Sequence, residues 1–121
     1  MMLNEPVRVL IVEDELSVRA LADLVLTLSG YGVRTAATPT EALQILESER
    51  DIDVVLTDIV LPEMTGYDFV DEAQRIAPSL RIVFMSGHAS DYVRRGGNDR
   101  FLPKPFTVES LRTVIRAAMA A

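Results

Sequence analysis

The sequence contains no cysteine, no tryptophan and only one histidine among its 121 residues. Without cysteine the chain can form neither a disulfide bond nor a thiolate metal site. A single histidine also excludes a metal site that is built from several imidazoles. The lack of cysteine fits a reducing compartment, where disulfides are rare.

Long apolar runs and excess positive charge are also missing. No run is long enough to span a bilayer, and residues 1–6 lack the basic start and apolar stretch of a signal peptide. The formal net charge is −6, which disfavours binding to nucleic acid through electrostatics. We therefore expect a soluble cytoplasmic protein whose partners include neither a membrane nor nucleic acid.

Hydrophobic residues make up 49% of the chain, enough for a folded core. The length suits one domain over residues 1–121, and no internal repeat, low-complexity tract or linker interrupts it. The apolar runs at 7–12, 33–37, 80–85 and 101–103, and the run from Val54 into Asp58, are typical of buried strands.

Apolar residues at helical spacing separate these runs. A capping box at Thr38–Glu41 and a cap at Thr107 mark two helix starts, and a brief helix is possible at 90–95. The spacing that predicts the first helix is that of Val18, Leu21, Leu24 or Val25, and Leu28, and the third helix is marked by Tyr67, Phe69, Val70, Ala73, Ile76 and Ala77. The residues predicted to face inward are, in the second helix, Ala42, Leu43, Ile45 and Leu46 and, in the last helix, Val108, Leu111, Val114, Ile115 and Ala118.

Alternation of strands and helices predicts an α/β domain with a parallel sheet and helices on both faces. In such a sheet the carboxyl ends of all strands share one edge, where ligands bind. Polar residues follow four of the predicted strands at that edge: Glu13 with Asp14, Asp58, Ser86 and Lys104. We expect these side chains to converge, although Asp58 alone could simply cap a loop.

Three carboxylates in one pocket repel one another, and a hard divalent cation such as Mg²⁺ relieves that repulsion. Together with Lys104 and the cation, the formal charge of Glu13, Asp14 and Asp58 falls to zero, so the site could receive an anionic phosphoryl group. A carboxylate can be the nucleophile in such a transfer, forming an acyl phosphate. The hydroxyl of Ser86 could donate to a phosphoryl oxygen.

The whole chain resembles the receiver domain of two-component response regulators. The resemblance rests on Glu13-Asp14, on Asp58-Ile-Val-Leu-Pro-Glu-Met-Thr-Gly, on Ser86 and on Lys104-Pro105-Phe106, each after a strand and in this order. It implies a flavodoxin-like (βα)5 doubly wound sheet with strand order 2-1-3-4-5. The residues around Ser86 and Lys104 look like those of receivers attached to hybrid histidine kinases.

The resemblance also implies the role of each residue at the site. Asp58 would accept a phosphoryl group from a histidine kinase or a histidine phosphotransfer protein, and Lys104 would pair with that group. Asp14, Asp58 and the backbone carbonyl of Val60 would bind Mg²⁺ directly, with Mn²⁺ as a possible substitute, and Glu13 would bind it through water.

Ser86 and Phe101 would form the switch, and the Lys104–Pro105 bond would be cis. The chain would be a regulator that catalyses its own aspartyl phosphorylation and dephosphorylation. It would signal by onward transfer or by binding a downstream protein through the fourth helix, the fifth strand and the fifth helix. It would be a monomer or a phosphorylation-dependent dimer.

One departure lies between Ser86 and Lys104, where the segment is shorter than expected by about one helical turn. It contains Gly96 and Gly97, so we expect a stunted or loose fourth helix.

Other functions need different residues. An aspartyl phosphohydrolase usually needs a second aspartate two residues after the nucleophile, where this chain has Val60. A flavin-binding protein needs a phosphate-cradling loop after the first strand, where this chain has acids. A degenerate receiver would lack part of the site, yet every position is filled. His88 is most simply a solvated loop residue, and Phe101 could be a core residue as well as a switch.

Overall fold

The computed structural model describes residues 5–93, 95 and 99–120. Strands and helices alternate along the described chain, with a single 3₁₀ turn between the last two strands. The elements in order are β1 (Arg8–Val12), α1 (Leu16–Leu28), β2 (Gly32–Ala36), α2 (Pro39–Ser48), β3 (Val54–Asp58), α3 (Gly66–Ile76), β4 (Arg81–Ser86), the 3₁₀ turn (Ala89–Asp91), β5 (Arg100–Pro103) and α4 (Val108–Ala120).

The five strands form one parallel sheet in the order β2-β1-β3-β4-β5, which confirms the predicted fold class. In the register of the sheet, Val12 lies beside Thr57 and Asp58 lies beside Met85. β3 occupies the centre and is buried along its whole length. The carboxyl ends of β1, β3, β4 and β5 therefore meet along one edge.

A hydrophobic cluster lies on each face of the sheet. α2 and α3 cover one face, where Phe69 and Phe84 are fully buried, and α1 and α4 cover the other, where Leu26 and Leu111 are fully buried. Complete burial of such side chains stabilises the fold by about 1.5–3 kcal/mol each. Two covered faces explain why the strand sequences are continuous apolar runs.

Of the apolar residues whose spacing predicts α1, only Val25 is buried, and Val18 is half-buried. The buried residues are Ala22, Val25 and Leu26, while Leu21, Leu24 and Leu28 are 47%, 56% and 79% exposed. Both sets of residues have helical spacing, so periodicity alone does not distinguish them. The small side chain of Ala22 and the branch of Val25 fit against the sheet, and the leucines on the opposite side remain in solvent.

The other helices bury the predicted residues, completely or in part, with one exception. Val108 is 53% exposed because it is the first residue of α4, where the chain has just left the edge of the sheet. The predicted caps are present: Thr38 accepts a hydrogen bond from the Glu41 amide at 3.2 Å, and Thr107 accepts one from the Ser110 amide at 2.9 Å.

The fourth helix is reduced further than expected. Among the described residues of this segment only the three-residue 3₁₀ turn Ala89–Asp91 forms, and the backbone is not helical at Tyr92 and Val93. Gly96 and Gly97 lie outside the described residues. Four α-helices rather than five are thus present in the described part of the chain. A short helix needs packing to form, and this segment offers few apolar side chains. Among the described helices, none combines the length and apolarity that crossing a membrane requires.

Candidate functional site

Three strand ends bring Glu13, Asp58 and Lys104 into direct contact. The Lys104 ammonium donates hydrogen bonds to Glu13 Oε1 and to Asp58 Oδ2, both at 2.8 Å. Lys104 is the only lysine in the sequence, among 12 basic residues. An ammonium group is a compact point charge, which suits a position between two carboxylates better than a planar guanidinium does. The convergence predicted from the sequence is therefore present.

Backbone amides hold the other oxygen of each carboxylate. Glu13 Oε2 accepts a hydrogen bond from the Glu15 amide at 3.0 Å, and Asp58 Oδ1 accepts one from the Val60 amide at 3.2 Å. Arg19 donates to the Glu13 carbonyl oxygen at 2.9 Å and so ties the start of α1 to the same loop. Both carboxylates are thus oriented from two sides.

Burial determines the electrostatics of the Glu13, Asp58 and Lys104 side chains. Glu13 is 1% exposed and Asp58 is 7% exposed. Burial raises the pKa of Glu13, and the hydrogen bonds from Lys104 and Glu15 offset only part of this effect. Burial lowers the pKa of Lys104, but its hydrogen bonds to Asp58 and Glu13 and the negative charges of both carboxylates together outweigh that effect, so the pKa lies above its ordinary value. The lysine therefore remains charged.

The acidic cluster can hold a metal ion. Glu13, Asp14 and Asp58 each offer one carboxylate oxygen, and these oxygens lie within 4.8 Å of one another. Asp14 is exposed, whereas the other two are buried. Carboxylate oxygens with room for water are the ligands that hard divalent cations prefer. The donor set therefore fits such an ion, and Val60 lies on the loop that directly follows Asp58.

The loop after Asp58 depends on Gly66, whose part at the site the sequence interpretation missed. The Gly66 amide donates to the Ile59 carbonyl oxygen at 2.7 Å, and a β-carbon at Gly66 would lie 2.3 Å from the Asp58 carbonyl oxygen. Within this loop Glu63 has a positive φ of 72°, and its carboxylate accepts hydrogen bonds from the Thr40 amide and hydroxyl. No sequence signal joins Thr40 to Glu63.

Ser86 is the last residue of β4, lies next to Lys104 and is 2% exposed. Its carbonyl oxygen accepts a hydrogen bond from the Lys104 amide at 2.8 Å, so backbone contact joins the two strand ends. The Ser86 hydroxyl donates to Asp91 Oδ2 at 2.8 Å and accepts from the His88 amide at 3.0 Å. The sequence interpretation had no role for Asp91.

Phe101 is partly buried in the core, and its ring stacks on Tyr92 with centroids 4.8 Å apart and planes 21° apart. The Lys104–Pro105 peptide bond is cis. The side chain of His88 is 83% exposed and lies 3.8 Å from Asp91. His88 is therefore a largely solvated loop residue.

A doubly wound parallel sheet of this strand order, with an aspartate at the end of its central strand beside a lysine and an acidic pair, defines a flavodoxin-like α/β domain with an acidic site at the carboxyl edge. The family model of the response regulator receiver domain matches residues 9–116. The chain belongs to the response regulator receiver domain family.

Curated relatives include the sensor kinase CckA of Brucella abortus, which is 38% identical over 113 residues. That match covers 89% of this chain and 12% of CckA. The response regulator MprA of Mycolicibacterium vanbaalenii is 32% identical, and the match covers 94% of this chain and 51% of MprA. Among solved structures, the receiver domain of the hybrid histidine kinase CckA superposes with a TM-score of 0.81 at 31% identity, covering 93% of this chain and 98% of that domain.

The chain thus spans about half or less of the curated relatives named here. Its family membership makes it a phosphoacceptor signalling module of two-component systems. The alternative of an aspartyl phosphohydrolase is not favoured, in keeping with Val60 at the position where such an enzyme needs an acid.

Proposed function

We propose that Asp58 accepts a phosphoryl group from a phosphohistidine on a histidine kinase or a histidine phosphotransfer protein. A carboxylate oxygen of Asp58 forms a bond to phosphorus as the phosphorus–nitrogen bond breaks, and the electron pair stays on the imidazole nitrogen. The single observation that carries the proposal is the Lys104 ammonium, which lies 2.8 Å from Asp58 Oδ2 and from Glu13 Oε1.

Each residue of the site would have a distinct part in this reaction. Lys104 would pair with the phosphoryl oxygens, since its charge already lies against the reacting carboxylate. Asp14, Asp58 and the carbonyl of Val60 would bind Mg²⁺, or Mn²⁺ in its place, and Glu13 would bind it through water. When bound, the cation neutralises negative charge that develops on the transferred group.

The same groups would let the domain catalyse its own phosphorylation and dephosphorylation. In both directions the protein's contribution is to position the reactants and to neutralise charge. The proposal is supported by the close packing of acids and lysine at one edge of the sheet.

Ser86 and Phe101 would pass the signal on. A phosphoryl group at Asp58 attracts the Ser86 hydroxyl, and movement of Ser86 opens space for the ring of Phe101. A modification shifts a conformational population only through contacts that differ between the two states. The support for this proposal is that Ser86 is nearly fully buried beside Lys104, while Phe101 is only partly buried.

Residues 1–121 would act as one receiver domain, as a monomer or a phosphorylation-dependent dimer, and would signal by onward transfer or by binding a protein target. The target face would include β5 and α4, which is the fifth helix expected from the sequence. A groove there is lined by Tyr92, Phe101 and Val114 among others. The cytoplasmic location expected from the sequence stays a prediction.

The test of the phosphoacceptor is incubation with a small-molecule phosphodonor, with and without a chelator, followed by intact-mass measurement. Wild-type protein should gain one phosphoryl group only when Mg²⁺ is present, and Asp58→Asn should gain none. Asp51→Asn is the matched control, because Asp51 precedes β3 at the opposite edge of the sheet. Phosphorylation of Asp58→Asn, or no effect of chelation, would show that the assignment is wrong.

A further inference from the structure

The Ser86 hydroxyl has one hydrogen, and that hydrogen is already donated. Its acceptor is the Asp91 carboxylate, 2.8 Å away in the 3₁₀ turn that replaces the fourth helix. The His88 amide donates to the same hydroxyl oxygen at 3.0 Å. A serine hydroxyl cannot donate one hydrogen to two acceptors at full strength. The bond to Asp91 must therefore break before Ser86 can donate to a phosphoryl oxygen.

The structure holds Asp91 in place from two directions. Its amide donates to the His88 carbonyl oxygen at 2.9 Å, and its carbonyl oxygen accepts from the Tyr67 hydroxyl at 3.0 Å. The same Tyr67 hydroxyl accepts a hydrogen bond from the Val93 amide at 2.5 Å. The ring of Tyr67 packs against the buried Phe84, with centroids 4.8 Å apart. The turn is thus attached to α3 as well as to the end of β4.

The residue after Asp91 is Tyr92, whose ring is the one that stacks on Phe101. Tyr92 also lies 6.3 Å from Phe84, between centroids. A chain of direct contacts therefore runs from the Ser86 hydroxyl through Asp91 and Tyr92 to Phe101. The Ser86–Asp91 bond is the contact of this chain that breaks if the Ser86 hydroxyl changes acceptor.

We propose that Asp91 is a positioning residue that withholds the Ser86 hydroxyl from the phosphoryl site and holds Tyr92 against Phe101 until the hydroxyl changes acceptor. The inference rests on the proposed function, because it needs an anionic group at Asp58. A hydrogen bond to a charged acceptor is stronger than one to a neutral acceptor, so Asp91 competes directly with the phosphoryl oxygens. Asp91 thereby sets how readily the domain switches.

The binding test uses beryllofluoride with Mg²⁺ as a stand-in for the phosphoryl group, measured by calorimetry. Asp91→Ala should bind it about tenfold more tightly than wild type, as expected from loss of one competing hydrogen bond to a charged group. Asp91→Asn keeps an oxygen acceptor without the charge and should fall between the two. Asp68→Ala is the charge-matched control, since in the described residues the Asp68 carboxylate forms no hydrogen bond or ion pair, and it should bind as wild type does.

A second set of variants separates the effect of the Ser86–Asp91 hydrogen bond from repulsion between the Asp91 charge and the anionic ligand. In a Ser86→Ala background, the Asp91→Ala change should alter beryllofluoride affinity by less than about twofold, because the hydroxyl under competition is gone. An equal gain in beryllofluoride affinity in both backgrounds, or no gain in either, would overturn the inference. The assignment of Asp58 as the phosphoacceptor would be unaffected. No binding by wild type would overturn the proposed function and this inference with it.

NMR of the aromatic rings tests the other end of the contact chain. Without ligand, Asp91→Ala should move the ring resonances of Tyr92 and Phe101 toward their positions in beryllofluoride-bound wild type. Asp68→Ala should leave them unmoved. Resonances in Asp91→Ala that match those of free wild type would overturn the link between Asp91 and Phe101.

Discussion

The carbonyl oxygen of Asp58 lies 2.3 Å from the point that a β-carbon on Gly66 would occupy. That point is also 2.9 Å from the Ile59 Cα atom, so two backbone segments meet with no room for a side chain. The first turn of α3 is thereby packed directly under the end of β3. The position of Asp58 therefore depends on a residue eight positions further along the chain.

Substitution of Gly66 by alanine should therefore lower the free energy of unfolding by about 2 kcal/mol or more, because backbone atoms must shift. Phosphorylation of Asp58 should slow as well. Urea unfolding and intact-mass kinetics measure the two effects. Gly87→Ala is the control, since a β-carbon at Gly87 would have no atom within 4 Å. The free energy of unfolding of this variant should change little or rise by about 0.4–1 kcal/mol.

Loss of Lys104 should leave two buried carboxylates side by side without a cation. We expect Lys104→Ala to lower the free energy of unfolding by about 3 kcal/mol in the presence of a chelator, the cost of breaking a buried ion pair. Mg²⁺ should restore part of the loss by neutralising the same oxygens. Denaturant unfolding with and without Mg²⁺ measures both effects.

Arg112→Ala serves as the control for Lys104→Ala, because it removes one positive charge from an exposed position on α4. Its stability should stay within about 0.5 kcal/mol of wild type. Equal losses in the two variants would contradict the assignment of Lys104 as the residue that holds the acids together.

Coupling between Ser86 and Phe101 should be visible in chemical shifts. On phosphorylation of the wild type, shift changes should extend from Asp58 to Phe101, because the Ser86 hydroxyl moves toward the added charge. In Ser86→Ala the changes should stay close to Asp58. A long-range response of equal size in the variant would mean that the signal travels by another route.

The two sides of α1 should differ sharply in their effect on stability. Leu26→Ala should cost about 2–5 kcal/mol because it leaves a cavity against the sheet. Leu24→Ala, which alters a side chain that is 56% exposed, should change stability by no more than about 0.5 kcal/mol. Thermal or urea unfolding of the two variants distinguishes these outcomes, and similar losses would mean that both sides of the helix are packed.

Asp99 should destabilise the folded protein near neutral pH. Burial raises the pKa of its carboxyl, Arg95 offsets part of this effect, and Asp71 adds to it. A carboxyl whose pKa is higher in the folded state than in the unfolded state costs stability above that pKa, and the cost disappears as the pH falls through it. Asp99→Asn should therefore be more stable than wild type at pH 7, and the difference should shrink in acid. A difference that grows in acid would contradict this sign.

Much of the fold followed from sequence because apolar runs of strand length alternate with helical periodicity, and right-handed crossovers then leave few topologies. The strands near 54–58 and 80–85 were located to within a residue. The extent of the helix expected at 90–95 was not predictable in the same way, since local sequence does not reveal whether a short segment finds packing partners. Only a single turn forms there in the described residues.

The sequence by itself determined that Glu13, Asp14, Asp58, Ser86 and Lys104 share one edge, because parallel strands carry whatever follows them to the same side of the sheet. Tertiary structure alone decided which side of α1 is buried, that Lys104 bridges two carboxylates, and that the Ser86 hydroxyl is donated to Asp91. These contacts depend on side-chain rotamers and loop paths between residues that lie up to 91 positions apart, and no local pattern encodes them.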